Sequence, residues 1–111
     1  DNAKDNLFEI CMTRLDLLSP HKKNLVNFYS SFQKKPNLFI KLYKSFFKSM
    51  ETNLVLGRIN LEPIKKDLKI FLFSFLYLSI IYEWLKESSK NNEKIMAILD
   101  QRLSLIENIL I

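Results

Sequence analysis

An all-α fold is the class this sequence predicts, on three observations. Apolar residues recur at three- and four-residue spacing over most of its 111 residues, as they do along helices that bury one stripe. The prolines Pro20, Pro36 and Pro63 and the single glycine, Gly57, fall between periodic stretches and not within them, marking helix ends. A hydrophobic content of 48% with 13% aromatics belongs to packed helices and not to a disordered tail. The length fits one domain over 1–111, large enough for a real core.

Asp1 to Leu18 reads as an amphipathic helix, with Leu7, Phe8, Cys11, Leu15 and Leu18 on one side and Glu9, Thr13 and Asp16 on the other. It begins with no cap in view. Ser19-Pro20 ends it and opens the next, with Ser19 as cap and Pro20 in the first helical position. That second helix runs to about Gln33 and buries Leu25, Phe28, Tyr29 and Phe32. A third, from Pro36 to Leu56, sets Phe39, Tyr43, Phe46, Phe47, Met50 and Leu54 against Lys41, Lys44, Lys48 and Glu51. Gly57 stands where a left-handed C-terminal cap belongs, and Asn60 and Pro63 precede the fourth helix as cap and first-turn residue.

The fourth helix, Ile64 to Lys86, organises the rest. From Ile70 to Tyr82 no residue is charged and only Ser74 and Ser79 interrupt the apolar run; a helix hydrophobic all round is a central one. Thirteen such residues span about 20 Å, short of the roughly 30 Å of a bilayer's hydrocarbon, so no membrane span is expected. After the polar break Ser88 to Asn92, a last helix from Glu93 to Ile111 carries the seam Ile95, Ile98, Leu99, Leu103, Ile106 and Leu110, widened by Met96, Leu105 and Ile109. Its two apolar faces ask for two partners. The expectation is a two-fold homodimer in which the last two helices of each copy make a four-helix bundle through Tyr77, Ile81, Trp84, Ile95, Leu99, Leu103 and Ile106.

The charge of +5 is dispersed in lysine pairs and triplets over several helices, a solvated surface more than a groove reader for DNA. One cysteine, Cys11, excludes an intrachain disulfide and a cysteine metal cluster, and its place on an apolar face makes it a small buried hydrophobe. No catalytic constellation is visible: His21 has no nucleophile or acid implied beside it. A non-enzymatic protein without cofactor or metal is expected, in a reducing, cytoplasmic setting, since no apolar signal segment opens the chain. Phe28, Phe32, Tyr43, Phe47, Phe71 and Phe75, with Ser74 as a polar member, are the candidate lining of a pocket for a hydrophobic small molecule or lipid; plain core filling is the competing reading. Asp100 is the candidate for a polar contact across the dimer.

Leu7-Phe8, Met12, Arg14-Leu15-Asp16, Leu18 and Pro20-His21-Lys22 together resemble the C-terminal domain of TetR-type regulators, in a subgroup typical of alphaproteobacteria. Trp84-Leu85, Glu87-Ser88, Met96, Leu99-Asp100, Leu103 and Glu107 resemble that subgroup's second pattern. Leu15 stands where the subgroup has an aromatic and Glu87 where it has Asp. The resemblance implies a five-helix ligand-binding and dimerisation domain. The helix-turn-helix through which such regulators contact DNA is absent from these residues, so DNA is a partner only through a missing N-terminal domain. The same fold and a similar ending occur in lipid-binding accessory proteins of ubiquinone biosynthesis, the alternative. A plain helical interaction module is the third reading.

Overall fold

The computed structural model describes residues 2–35, 37–87 and 92–110, and their side chains except at 32, 33, 38 and 39. Pro36, the break Ser88 to Asn91, and the side chains of Phe32 and Phe39 lie outside the described residues. The fold is all-α, with no strand among the described residues: α1 (Ala3–Leu18), α2 (Lys22–Lys34), α3 (Asn37–Leu56), α4 (Lys66–Lys86) and α5 (Glu93–Leu110).

The start of α1 is capped after all. The Asn2 side-chain oxygen accepts from the Asp5 backbone N–H at 2.8 Å, satisfying one of the donors that a helix start leaves open. The expected break at Ser19-Pro20 is milder than a loop. Ser19–His21 forms a 3₁₀ turn, and Ser19 keeps helical angles (φ −53°, ψ −43°) despite the following proline. Pro20 sits in the first turn, where its missing N–H costs nothing. The chain therefore stays helical from Ala3 to Lys34, and Ser19 does not cap α2.

The end of α3 corrects a second expectation. The left-handed residue is Arg58 (φ 64°), not Gly57. Ile59 N–H donates to Leu54 O and Arg58 N–H to Val55 O, both at 3.0 Å, a Schellman closure in which Leu54 and Ile59 are both buried. Gly57 makes space: a Cβ there would lie 2.7 Å from Leu7 Cδ2, so the Leu7 side chain would have to shift. Its glycine lets α1 pack onto the end of α3. The fourth helix also starts later than expected, at Lys66. Asn60 does not cap it; instead its carbonyl accepts from Lys69 Nζ, a buried cation held by the connecting segment.

The core lies between α1, α3, α4 and α5 and is aliphatic except on α4: Leu7, Cys11 and Leu15, then Met50 and Leu54, then Phe73, Tyr77, Ile80 and Trp84, then Ile95, Leu99, Leu103 and Leu110. Helices α4 and α5 pack along their lengths, and Arg102 Nη1 donates to Ser79 Oγ across them at 2.8 Å. The helix α4 is central, touching α2, α3 and α5. It is not wrapped all round: Ile70, Phe73, Ser74, Tyr77, Ile80 and Trp84 face inward, while Leu68, Phe71, Phe75, Leu78 and Tyr82 are exposed along the opposite stripe. At 21 residues α4 is long and apolar enough to cross a membrane by length and composition, so the length argument from its uncharged middle is superseded; its inward stripe builds this core.

Candidate apolar groove

The expected pocket and the expected dimer seam both rearrange when the helices are placed. Between α2, α3 and α4 runs a groove of about 720 Å³. Helix α2 and the turn before it contribute Leu18, Leu25, Phe28 and Tyr29; α3 contributes Leu42, Tyr43 and Phe46; α4 contributes Phe75, Tyr77 and Leu78, then Ser79, Ile81, Tyr82 and Leu85. Spacing explains the wall. Leu18, Leu25 and Tyr29 fall on one stripe of the near-continuous helical run, and Phe75, Leu78 and Tyr82 on the outer stripe of α4. Tyr29 and Tyr82 meet across it with ring centroids 5.9 Å apart. The groove is open: Phe75 is 68% exposed, and Phe28, Leu42, Leu78 and Tyr82 are exposed as well.

Of the residues singled out for a pocket, Phe28, Tyr43 and Phe75 line this groove, and Phe47, Phe71 and Ser74 do not. Phe47 and Phe71 stack edge to face, centroids 5.1 Å apart, outside the groove lining. Ser74 is buried and donates to Ile70 O at 2.6 Å, so its hydroxyl is used within its own helix. The Phe32 side chain lies outside the described residues. Phe46, Leu42 and Leu25 were missed as lining, although Phe46 and Leu25 were placed on the buried faces of their helices; their spacing does not separate a wall from a core.

The seam assigned to a dimer is mostly interior to one copy. Leu99 is 0% exposed and Trp84 3%, and Tyr77, Ile95 and Leu103 are equally buried within one chain, so these five cannot form a surface between copies. The reason is that α5 turns its seam onto α4 and α1 of its own chain. Ile106 is half-buried against the core, and Ile81 lines the groove. Asp100 pairs with Lys4 of α1 at 3.0 Å on an exposed site. What α5 leaves exposed is Met96, Leu105 and Ile109.

Electrostatics follow from the same placement. Arg14 of α1 donates from Nε to Tyr77 Oη at 3.0 Å and its guanidinium lies 5.2 Å from that ring's centre, so the phenol at the groove wall is already engaged. Ser79 accepts from Arg102 and donates to Leu76 O at 2.7 Å. Cys11 is fully buried, and loss of water pushes its thiol up to about 12, against a smaller lowering by Arg14; it is a packed hydrophobe and no nucleophile. Among the described residues no three histidine, cysteine or acidic side chains converge as metal ligands.

A second depression of about 590 Å³, between α1 and the end of α3, has a mixed lining, with Asn6, Glu9, Thr13, Arg14, Asn53 and Arg58 beside Ile10 and Leu56. The Asn53 amide nitrogen there is buried without a hydrogen-bond partner among the described residues. Comparison of the chain with protein-family models, with curated proteins and with solved structures gave no match.

Proposed function

We propose that the chain is a non-enzymatic ligand-binding and dimerisation domain of the TetR-like regulator type, whose effector is an apolar small molecule held between α2, α3 and α4. The observation that carries this reading is the groove itself. Ligand sites are concave, mostly apolar and furnished with a few polar groups, and here aromatic and aliphatic side chains from three helices face a common space of about 720 Å³. Regulation in such a domain requires that the ligand favour one arrangement of the helices over another; α2, with no buried residue of its own among the described side chains, is the wall with least to lose by moving. Dimerisation uses apolar surface that one copy leaves uncovered, Met96, Leu105 and Ile109 on α5 with Leu68 and Phe71 on α4.

The lipid-binding accessory reading is favoured by one feature, that the space is an open trough and not a closed cell, which suits a long chain taken from another apolar surface. Two measurements test these readings. Native mass spectrometry after gentle extraction is expected to show a co-purified apolar species, and N-phenyl-1-naphthylamine fluorescence is expected to rise on addition of the protein. A clean apo mass together with no fluorescence change refutes the groove as a ligand site. Sedimentation velocity tests the dimer: a monomer at all concentrations removes that half of the proposal.

A further inference from the structure

We propose that the groove takes a single-chain anionic amphiphile, its acidic head on Lys22 and its tail along the aromatic wall. This rests on the reading of the groove as an apolar-ligand site and adds the class of ligand. Lys22 is at the edge of the groove and not in its lining: it falls by helical spacing between Leu18 and Leu25, which do line it. Its ammonium is turned inward, donating to the Glu87 backbone carbonyl and lying 4.9 Å from the centre of the Trp84 ring. Both contacted groups are neutral, a backbone carbonyl and an indole ring, and the Glu87 carboxylate is engaged with Lys94 at 3.7 Å. Among the described residues Lys22 has no carboxylate partner, whereas nearby Lys86 is paired with Glu83 at 3.2 Å. A half-buried cation beside an apolar trough, held but not neutralised, is a receptor for a negative head.

The polar groups deeper in the groove do not compete for that head. The Tyr77 hydroxyl already receives Arg14, and Ser79 already receives Arg102. The surrounding charge points the same way. From Leu17 to Met50, which includes all of α2 and much of α3, there are seven lysines and no acidic residue. These lysines, those of α3 on the side away from Tyr43 and Phe46, give α2 and the first part of α3 a net positive charge that favours the approach of anions. From Leu85, next in sequence to the Trp84 on which Lys22 lies, to Phe75 is ten residues of α4, about 15 Å, the extended length of an alkyl chain of about twelve carbons.

The test is displacement of N-phenyl-1-naphthylamine from the full chain by submicellar laurate, dodecyl phosphate, 1-dodecanol and dodecylamine. The two anions are expected to displace it at concentrations about tenfold below dodecanol, the lower range for a hydrogen bond to a charged group. Dodecylamine is expected to be weakest. Lys22→Gln should bring laurate and dodecyl phosphate level with dodecanol while leaving dodecanol unchanged, and Lys22→Arg should retain the preference, which separates loss of charge from loss of fold. Lys86→Gln should leave the preference intact. Equal displacement by laurate and dodecanol in the unaltered chain, or a preference that survives Lys22→Gln, overturns the amphiphile proposal alone. Failure of the naphthylamine itself to bind overturns the groove reading, and the proposal with it.

Discussion

The two sides of α4 are built from different side chains for different ends. Toward α1 and α5 the contacts are aliphatic and closed: Leu7, Leu15, Leu99 and Leu103 are buried essentially completely. Toward α2 they are aromatic and open, with Phe28, Tyr29, Phe75 and Tyr82 all exposed in part. Flexible aliphatic chains interdigitate to crystal-like density, whereas large rings spaced along three helices hold a trough open. The comparison teaches that one helix apolar around its middle can serve a solid core and an open groove at once, the division being made by its neighbours.

The sharpest way to break the closed side is Leu99→Asp. A carboxylate placed where Leu99 is fully buried has no partner, and the cost, several kcal/mol or more, should leave the chain without a cooperative unfolding transition by circular dichroism; a folded variant would show that α5 is less tightly seated than described. Phe47→Ala comes next. Phe47 lies behind the groove wall, touching Tyr43 and Phe46, which line it, and Phe71, which does not, so its loss should lower stability in urea by about 2–3 kcal/mol, below the full-burial range because the ring is half-buried, with naphthylamine binding largely kept. Loss of binding without loss of stability would move Phe47 into the groove.

Gly57→Ala tests the join between α1 and α3. The new methyl meets Leu7 at 2.7 Å, and overpacking should destabilise by about 1–2 kcal/mol, with Leu7→Val in the same chain restoring part of it; a gain in urea midpoint would mean that Leu7 yields freely. Phe28→Ala, on the open side, should change stability by less than about 0.5 kcal/mol yet weaken naphthylamine binding, the reverse of Phe47→Ala. The last prediction has no effect near neutral pH. The unfolded Cys11 thiol ionises near 9.0 and the folded one near 12, so above pH 9 the unfolded chain sheds a proton that the folded chain keeps. Stability should fall as pH rises from 9 toward 12, and Cys11→Ala should remove that part of the slope; Cys11 labelling by a thiol reagent at pH 8 in the folded protein would contradict the burial.

Much of this was legible in the sequence. Helical periodicity placed α1, α3 and α5 closely, and the buried members Leu7, Cys11, Leu15, Met50, Leu54 and Leu99 all came from it. Where the reading went astray, the physics was tertiary. Periodicity shows that Ile95, Leu99 and Leu103 share a face but not which copy's helix they meet, so a within-chain contact was assigned between chains. The same blindness split the aromatic set: Phe75 and Phe71 are neighbours on α4, and only the position of α2 decides which lines a trough. Gly57 was singled out correctly for the wrong reason, since a close approach by Leu7 cannot be seen before the helices are packed. The residues behind the TetR-type resemblance include Leu7, Leu15, Trp84, Leu99 and Leu103, which are core positions; such a pattern speaks first of packing.

The 3₁₀ turn at Ser19–His21 joins α1 and α2 into one near-continuous rod. Its amino-terminal arm is clamped by Leu7, Cys11 and Leu15, and its other arm forms the movable wall of the trough. If the proposed ligand wedged α2 outward, the load would pass through the Ser19–His21 turn to the clamped arm before any other element. Mechanical leverage of this kind would convert occupancy at one edge of the bundle into displacement near the amino end of the chain.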